Sequence, residues 1–342
     1  MKLGVYPTGV RALEALWTSS GELFVKDDGA THPEFGGNKV RKLEPILERA
    51  VAKGARRLVT LGAAGSHQAV ATALFAKKLG LEAACALCPQ PWSPHAFNML
   101  RAAVALGIEV HPVEHGWQLP VATAKLLRRK DYLIPLGSTN VPGTRGYVAA
   151  AFELKAQIDA GELPEPDVIV VALGSGGTTA GLLAGLASAQ VSSVVLGVTI
   201  AQLGPVTRPW LLGLAHQALR RDQRPPLGEL NRRLVVENRF LGAGYAEPTV
   251  AGERAFEVAL EQGLRLDLSY TAKAFAAALR LVDHPSLDGT RRPIPRPEVA
   301  RPEGRPLRVL YWHTLSSAPI ACLTAGASDI LPDKLNRLLL AS

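Results

Sequence analysis

Between about residues 40 and 200, short apolar runs alternate with longer stretches in which alanine and leucine recur at helical spacing. The pattern predicts helices over 40–52, 69–79, 96–106, 147–160 and 180–189. Strands are predicted over 57–61, 83–87, 109–113, 167–172 and 194–200. Further along, a helix is expected over 274–282 and a strand over 307–312. Regular alternation of this kind implies parallel strands with helices packed on both faces, hence an α/β class, and no segment repeats at a fixed period. In such sheets ligands gather where strand ends turn into helix N-termini. Three loops meet that description and carry polar or glycine-rich chemistry: 62–68, 137–146 and 174–179.

The chain has 342 residues, 47% of them apolar. It exceeds the roughly 250–300 residues at which a single core stops growing, so two domains are expected. No apolar run approaches the roughly 20 residues of a membrane span, and the first residues lack the apolar stretch of a signal peptide. A soluble, cytoplasmic protein is the expectation. The three cysteines do not suggest a disulfide scaffold. Cys85 and Cys88 have the spacing of half a zinc or redox site but sit in an apolar strand with no second pair, so no metal is expected. His111 and His115 flank Pro112, which argues against a helix presenting both imidazoles on one face; a strand exit is the better reading.

The net charge of +8 raises the question of nucleic acid. Much of it falls in 291–308, within an Arg/Pro-rich stretch, 285–306, that cannot form a regular helix or central strand. No aromatics are interleaved there to stack on bases, so a solvated surface insertion is favoured over a nucleic-acid tether.

Gly174, Ser175, Gly176, Gly177 and Thr178 follow the strand 167–172 and open a helix, so consecutive backbone amides can converge on one anion. A dinucleotide site would need a third glycine, where Thr179 stands, and an acidic hook for a ribose. No Asp or Glu occurs between Asp167 and Asp222. No lysine follows the glycines, which excludes a P-loop. A small monophosphate fits best. The second chemical signal is Lys39, in Gly36-Gly-Asn-Lys39 at the start of a helix whose Leu43, Ile46 and Leu47 form an apolar face. Asn38 is expected to be its N-cap. A partly desolvated lysine loses proton affinity and can form an imine with an aldehyde.

Taken in order, Gly37-Asn-Lys-Val-Arg-Lys-Leu-Glu44, Gly65-Ser-His-Gln68, Gly174-Ser-Gly-Gly-Thr178, Tyr270-Thr-Ala-Lys273 and His313-Thr314 resemble the aminocyclopropane-carboxylate deaminase and D-cysteine desulfhydrase family. This is a branch of the pyridoxal-phosphate enzymes with the two-domain tryptophan-synthase β-subunit fold (fold type II), whose open, mostly parallel sheets carry helices on both faces. The resemblance covers most of the chain, including residues 136–147 and 244–249. It implies a large cofactor-binding domain of 1–42 with 154–342, a small domain of 43–153, and a homodimer. It further implies that Lys39 carries pyridoxal 5'-phosphate as an imine and later acts as base, and that residues 174–178, helped by Lys42, hold the phosphate. Thr314 meets the pyridine nitrogen, Ser66 and Tyr270 act on the substrate, and Gln68 lies in the loop that holds it.

The chain departs from the family where Gln-Ser-Asn-His is usual: His67 stands in place of the asparagine that bonds the cofactor's phenolic oxygen. Its imidazole can donate to the same oxygen, and it borders the substrate. Ala272 and Leu315-Ser316-Ser317 also replace family glycines. Thr271 follows Tyr270 as in the desulfhydrase branch, where the deaminase branch has glutamate. The expected activity is therefore a lyase or deaminase on a small amino acid, with D-cysteine β-elimination to keto acid, ammonia and sulfide first. Cyclopropane ring-opening deamination is the alternative, and a catalytically altered cofactor-binding protein a further one.

Overall fold

The computed structural model describes residues 1–202, 204–284, 304–325, 328 and 330–340. Most of the Arg/Pro-rich insertion, from 285 to 303, lies outside the described residues.

Twelve strands are present among them: β1 (Val10–Ala12), β2 (Gly21–Asp27), β3 (Arg57–Ala63), β4 (Glu82–Cys88), β5 (Gln90–Pro91), β6 (Glu109–Pro112), β7 (Asp131–Leu133), β8 (Val168–Leu173), β9 (Val194–Thr199), β10 (Leu234–Glu237), β11 (Leu307–His313) and β12 (Leu339–Leu340). Six form one sheet in the order β1-β2-β11-β8-β9-β10, parallel except for β1 against β2. Four form a second, wholly parallel sheet in the order β6-β4-β3-β7. The α/β expectation with mostly parallel sheets therefore holds. His111 lies on β6 at its exit, as the proline suggested.

Among the described residues, ten α-helices of seven residues or more cover the sheets, α1 (Asn38–Ala52), α2 (His67–Lys78), α3 (Pro94–Ala105), α4 (Leu119–Leu126), α5 (Val141–Asp159), α6 (Gly177–Ser188), α7 (Thr207–Ala218), α8 (Leu227–Arg233), α9 (Val250–Glu261) and α10 (Thr271–Asp283), with two shorter ones at Ala321–Thr324 and Asp333–Asn336. Apolar residues of α9 and α10 pack on one face of the six-stranded sheet, and those of α5, α6 and α7 on the other. α6 is buried continuously from Gly177 to Ala187, which explains why it is apolar all round rather than on one stripe. α1, α2 and α3 enclose the four-stranded sheet. Leu43, Ile46 and Leu47 of α1 are fully buried there, each contributing roughly 1.5–3 kcal/mol.

All six predicted helices begin earlier than expected, and three of these starts have an identifiable local cause. α5 begins at Val141 rather than 147, because Asn140 caps it by accepting from Gly143 N at 2.8 Å and Pro142 suits the first turn. α6 begins at Gly177, three residues before the first strongly periodic position. α1 begins at Asn38, so Asn38 is not the N-cap; Gly37 is, with a φ of 87° that few side chains tolerate.

We propose the division into 1–42 with 154–342 and 43–153 as the domain boundary, with Phe35 and Val40 crossing into the core of the four-stranded sheet, Tyr147, Ala150 and Ala151 into that of the six-stranded sheet, and the C-terminal segment crossing as well. Leu331, Leu335 and Leu338 pack into the core of the four-stranded sheet, and β12 pairs with β5. Gln90 of β5 donates its N–H to Leu338 O at 3.0 Å. Its side-chain oxygen accepts from Gly65 N at 2.8 Å.

Between α1, α5 and the large sheet lies a buried polar network. Asp28 Oδ1 accepts from Thr8 Oγ1 at 3.0 Å and from Arg41 Nε and Nη2 at 2.9 and 2.8 Å. Asp28 Oδ2 accepts from the Tyr147 hydroxyl at 2.6 Å and Trp312 Nε1 at 2.7 Å. Arg41 also bonds Glu153, which Lys26 joins. Burial would raise the Glu153 carboxyl, but the Arg41 and Lys26 charges outweigh it and hold it down at about 2. Network and core together fix the roll of α1 about its axis.

Candidate active site

Arg41 faces the buried network, whereas Asn38, Lys39 and Lys42, a turn apart on α1, face a cavity of about 450 Å³. The cavity opens at the carboxyl ends of β3 and β8, where strand-to-helix loops leave amides and hydroxyls unpaired. Gly174, Ser175, Gly176, Gly177 and Thr178 line it after β8; Ser66, His67 and Gln68 after β3; Thr314 beyond β11; and Tyr270 at the start of α10. All the residues singled out from sequence thus meet in one space.

Desolvation pushes the Lys39 amine down to about 8. Lys42 Nζ donates to Gly137 O and, at 3.1 Å, to Thr139 Oγ1. Burial, with the Lys39 charge added, lowers its proton affinity well below the usual range. No carboxylate offsets either amine among the described residues. Thr179 Oγ1, beside the glycine turn, is buried without a hydrogen-bond partner among them. Two uncompensated amines, free helix-terminal amides and an orphaned hydroxyl form a donor set that fits a phosphate monoester.

The turn itself is tightly drawn. Asn38 Nδ2 donates to Thr178 Oγ1 at 3.3 Å and Asn38 N to Thr314 O at 3.1 Å, so α1, α6 and the end of β11 are tied together. Ser175 Oγ shares a 2.6 Å hydrogen bond with Thr139 Oγ1. A Cβ on Gly177 would stand 2.7 Å from Lys42 Nζ and 2.8 Å from Thr139 Oγ1. Both atoms end side chains that can swing away, so Gly177→Ala should leave the fold intact while displacing the Lys42 amine. The expected result is an apparent Kd for pyridoxal phosphate raised about tenfold, the worth of one charge-assisted hydrogen bond, with thermal unfolding little changed.

On the opposite wall, Ser66 caps α2 by accepting from Ala69 N at 3.2 Å, which leaves its own proton free to donate. Gln68 is committed to protein partners: its Nε2 donates to Thr72 Oγ1 at 3.0 Å and its Oε1 accepts from Ser138 Oγ at 2.5 Å. Its side chain fastens the 137–139 loop beside the cradle. His67 opens α2 and contacts the edge or face of three rings, those of Phe35, His95 and Tyr270.

Three contributors escaped the sequence reading. The Tyr245 hydroxyl is hydrogen-bonded to that of Tyr270. Burial raises Tyr245 to about 12 and Tyr270 well above its ordinary value, so both are neutral and available as proton donors. Lys273 holds the Tyr245 loop by donating to Leu241 O and Gly244 O at 2.7 and 3.0 Å. Asp267 sets Tyr270, accepting from its backbone N–H at 2.6 Å and from Thr271 Oγ1 at 2.7 Å. Residues 244–249 were noticed as a motif, but nothing in it distinguished the tyrosine. Cys85 is buried as expected, whereas Cys88 is half-buried and reaches the cavity wall.

A family model described as pyridoxal-phosphate dependent enzyme matches residues 1–292. A Thermotoga maritima relative with the provisional name 1-aminocyclopropane-1-carboxylate deaminase is 33% identical over 295 residues, covering 82% of this chain and 90% of its own. A D-cysteine desulfhydrase of Klebsiella pneumoniae is 30% identical over 286 residues, covering 80% and 85%. The crystal structure of an aminocyclopropane-carboxylate (ACC) deaminase homologue superposes with a TM-score of 0.75 at 27% identity, covering 94% of this chain and 95% of that one.

Proposed function

Since the chain belongs to the family of pyridoxal-phosphate dependent enzymes, we propose that it is a lyase that converts D-cysteine or a close analogue, with water, to pyruvate, ammonia and hydrogen sulfide. The observation that carries this reading is the desolvated Lys39 amine sharing one cavity with the glycine turn and a neutral tyrosine pair. Lys39 is the anchor, and residues 174–178 with Lys42 hold the phosphate. When bound, pyridoxal phosphate supplies an electron-withdrawing ring that acidifies the α C–H of an amino acid joined to it.

The remaining work falls to side chains. Lys39 Nζ, neutral once released, takes the α-proton. The carboxylate rests on the Ser66 hydroxyl and the amides opening α2. The C–S bond breaks as the electron pair leaves with sulfur, and the Tyr270 hydroxyl, replenished through Tyr245, supplies the proton that turns the departing hydrosulfide into hydrogen sulfide. Thr314, which lines the cavity, would hold the pyridine nitrogen by a neutral hydroxyl, and such a partner would draw electrons less strongly than a carboxylate and favour elimination. Thr271 turns its hydroxyl into Asp267 rather than into the cavity.

Ring-opening deamination is the second reading, favoured by the names of the Thermotoga relative and of the superposed structure. Incubating purified protein with D-cysteine, L-cysteine and 1-aminocyclopropane-1-carboxylate separates the two. Sulfide with pyruvate is expected from D-cysteine; 2-oxobutyrate from the cyclopropane with no sulfide would overturn the first reading. A visible imine band with no turnover of any D- or L-amino acid would point to the third reading, a catalytically altered cofactor-binding protein. Among the described residues no helix is long and apolar enough to cross a membrane. A cytoplasmic homodimer remains part of the proposal.

A further inference from the structure

His95 lies half-buried in the first turn of α3, 28 residues from His67 and outside every motif noted above, yet its Nε2 lies 3.1 Å from His67 Nε2. The approach is built in. Ala96 packs against Gly65, where a Cβ would fall 2.9 Å from Ala96 Cα, and Ser93 caps α3 by accepting from Ala96 N at 3.1 Å. α3 is therefore fixed against the 62–68 loop, and His95 cannot drift from His67 without moving that loop.

Two imidazole nitrogens at this distance share one proton: one nitrogen donates and the other offers its lone pair. His67 lines the cavity and its Nε2 is committed to His95, so Nδ1 is the ring nitrogen left for a ligand, and among the described residues no protein group hydrogen-bonds it. The groups around the ring are the His95 imidazole from α3, the Lys39 amine from α1, the Tyr270 ring in a T-shaped contact and the stacked ring of Phe35. Burial, then His95 and Lys39, disfavour a charged His67, so the neutral ring must choose between two tautomers. In one, Nε2–H points at His95 and a lone pair at the cavity; in the other, Nδ1–H points at the cavity. An anionic oxygen in the cavity is repelled by the first and bonded by the second.

We propose that His95 is the positioning residue of the site: by donating Nε2–H to His67 Nε2 it holds His67 in the Nδ1–H tautomer and so presents a donor to an anionic oxygen of the bound cofactor or substrate. This rests on the functional reading above. His95 touches neither cofactor nor substrate; it acts through His67.

The test is two-dimensional ¹⁵N NMR of the histidine side chains in holoenzyme, which distinguishes protonated from unprotonated ring nitrogens. Wild type should show His67 protonated at Nδ1. His95→Leu should give a mixture of tautomers, a shifted cofactor absorbance band and kcat lowered about tenfold with KM little changed. His95→Gln, whose amide can donate, should recover most of the loss. His67 found protonated at Nε2 in wild type overturns the proposal without any variant, so a poorly folding leucine variant does not shelter it. An unchanged tautomer in His95→Leu overturns it equally. Adding cofactor alone to apoprotein and then D-serine, a poorer leaving-group analogue, separates the two oxygens: a His67 Nδ1 shift on the first addition assigns the cofactor's, and on the second the carboxylate's. The tautomer can be read whether or not D-cysteine is turned over, so failure of the substrate assignment is told apart from failure of this one.

Discussion

Lys39→Ala should abolish turnover, with residual activity lower by about 10³-fold or more, and should replace the imine absorbance band by that of free aldehyde. Removing a group that acts as both nucleophile and base typically costs this much, because no neighbour is placed to substitute. Among the described residues lining the cavity Lys42 is the only rival amine, and it is tied to Gly137 O and Thr139 Oγ1 at the phosphate end. The fold should survive, since the amine is desolvated without a partner and its removal relieves a cost. The same desolvation sets a pH signature. With the amine held at about 8, protonation below that value blocks attack on the aldehyde, so the rate at which apoprotein takes up cofactor should climb as pH rises through about 8 and level off above it. A rate still climbing toward 10 would show that Lys39 behaves as an ordinary solvated lysine.

Asp28→Ala should destabilise the protein by about 3–5 kcal/mol, a large share of ordinary domain stability, lowering Tm by on the order of 10 °C. The carboxylate receives five hydrogen bonds from Thr8, Arg41, Tyr147 and Trp312 and is fully buried. Its loss leaves the Arg41 guanidinium short of a buried partner. Asp28→Asn should be nearly as harmful, because donors approach both oxygens and an amide would set its own N–H groups against one pair of them. Calorimetry of the two variants checks the claim; an amide variant as stable as wild type would refute it. The network carries a pH consequence through Glu153. Its carboxyl is held lower in the folded chain than the usual 4.5, so its contribution is complete above that value and is lost as pH falls toward about 2. Acid unfolding should begin at lower pH in wild type than in Glu153→Gln.

Six of the parallel strands were legible, because buried strands read as apolar runs: Val168-Ile-Val-Val-Ala-Leu173 needs no partner to be recognised. Helix starts were not, since Asn140 and Gly176 mark them by capping and backbone shape rather than by periodicity. β2 was missed for a related reason. Its Lys26 and the adjoining Asp28 are charged yet fully buried, their cost offset by groups on α1 and α5 far along the chain. Lys39 and the glycine turn could be read because each is a local signature. Tyr245 and His95 could not: each matters only through a neighbour brought close by folding, Tyr270 and His67 respectively.

The pairing of β12 with β5 reaches further than its two residues suggest. Leu338 and Leu340 hold the backbone of Gln90 and Trp92, and Gln90 in turn holds Gly65 at the head of the loop that carries Ser66 and His67. Anyone preparing this protein therefore has reason to keep residues 338–340 intact and to place a purification tag at the other end. Shortening the chain there would loosen the loop that carries Ser66 and His67, though none of the trimmed residues belongs to it.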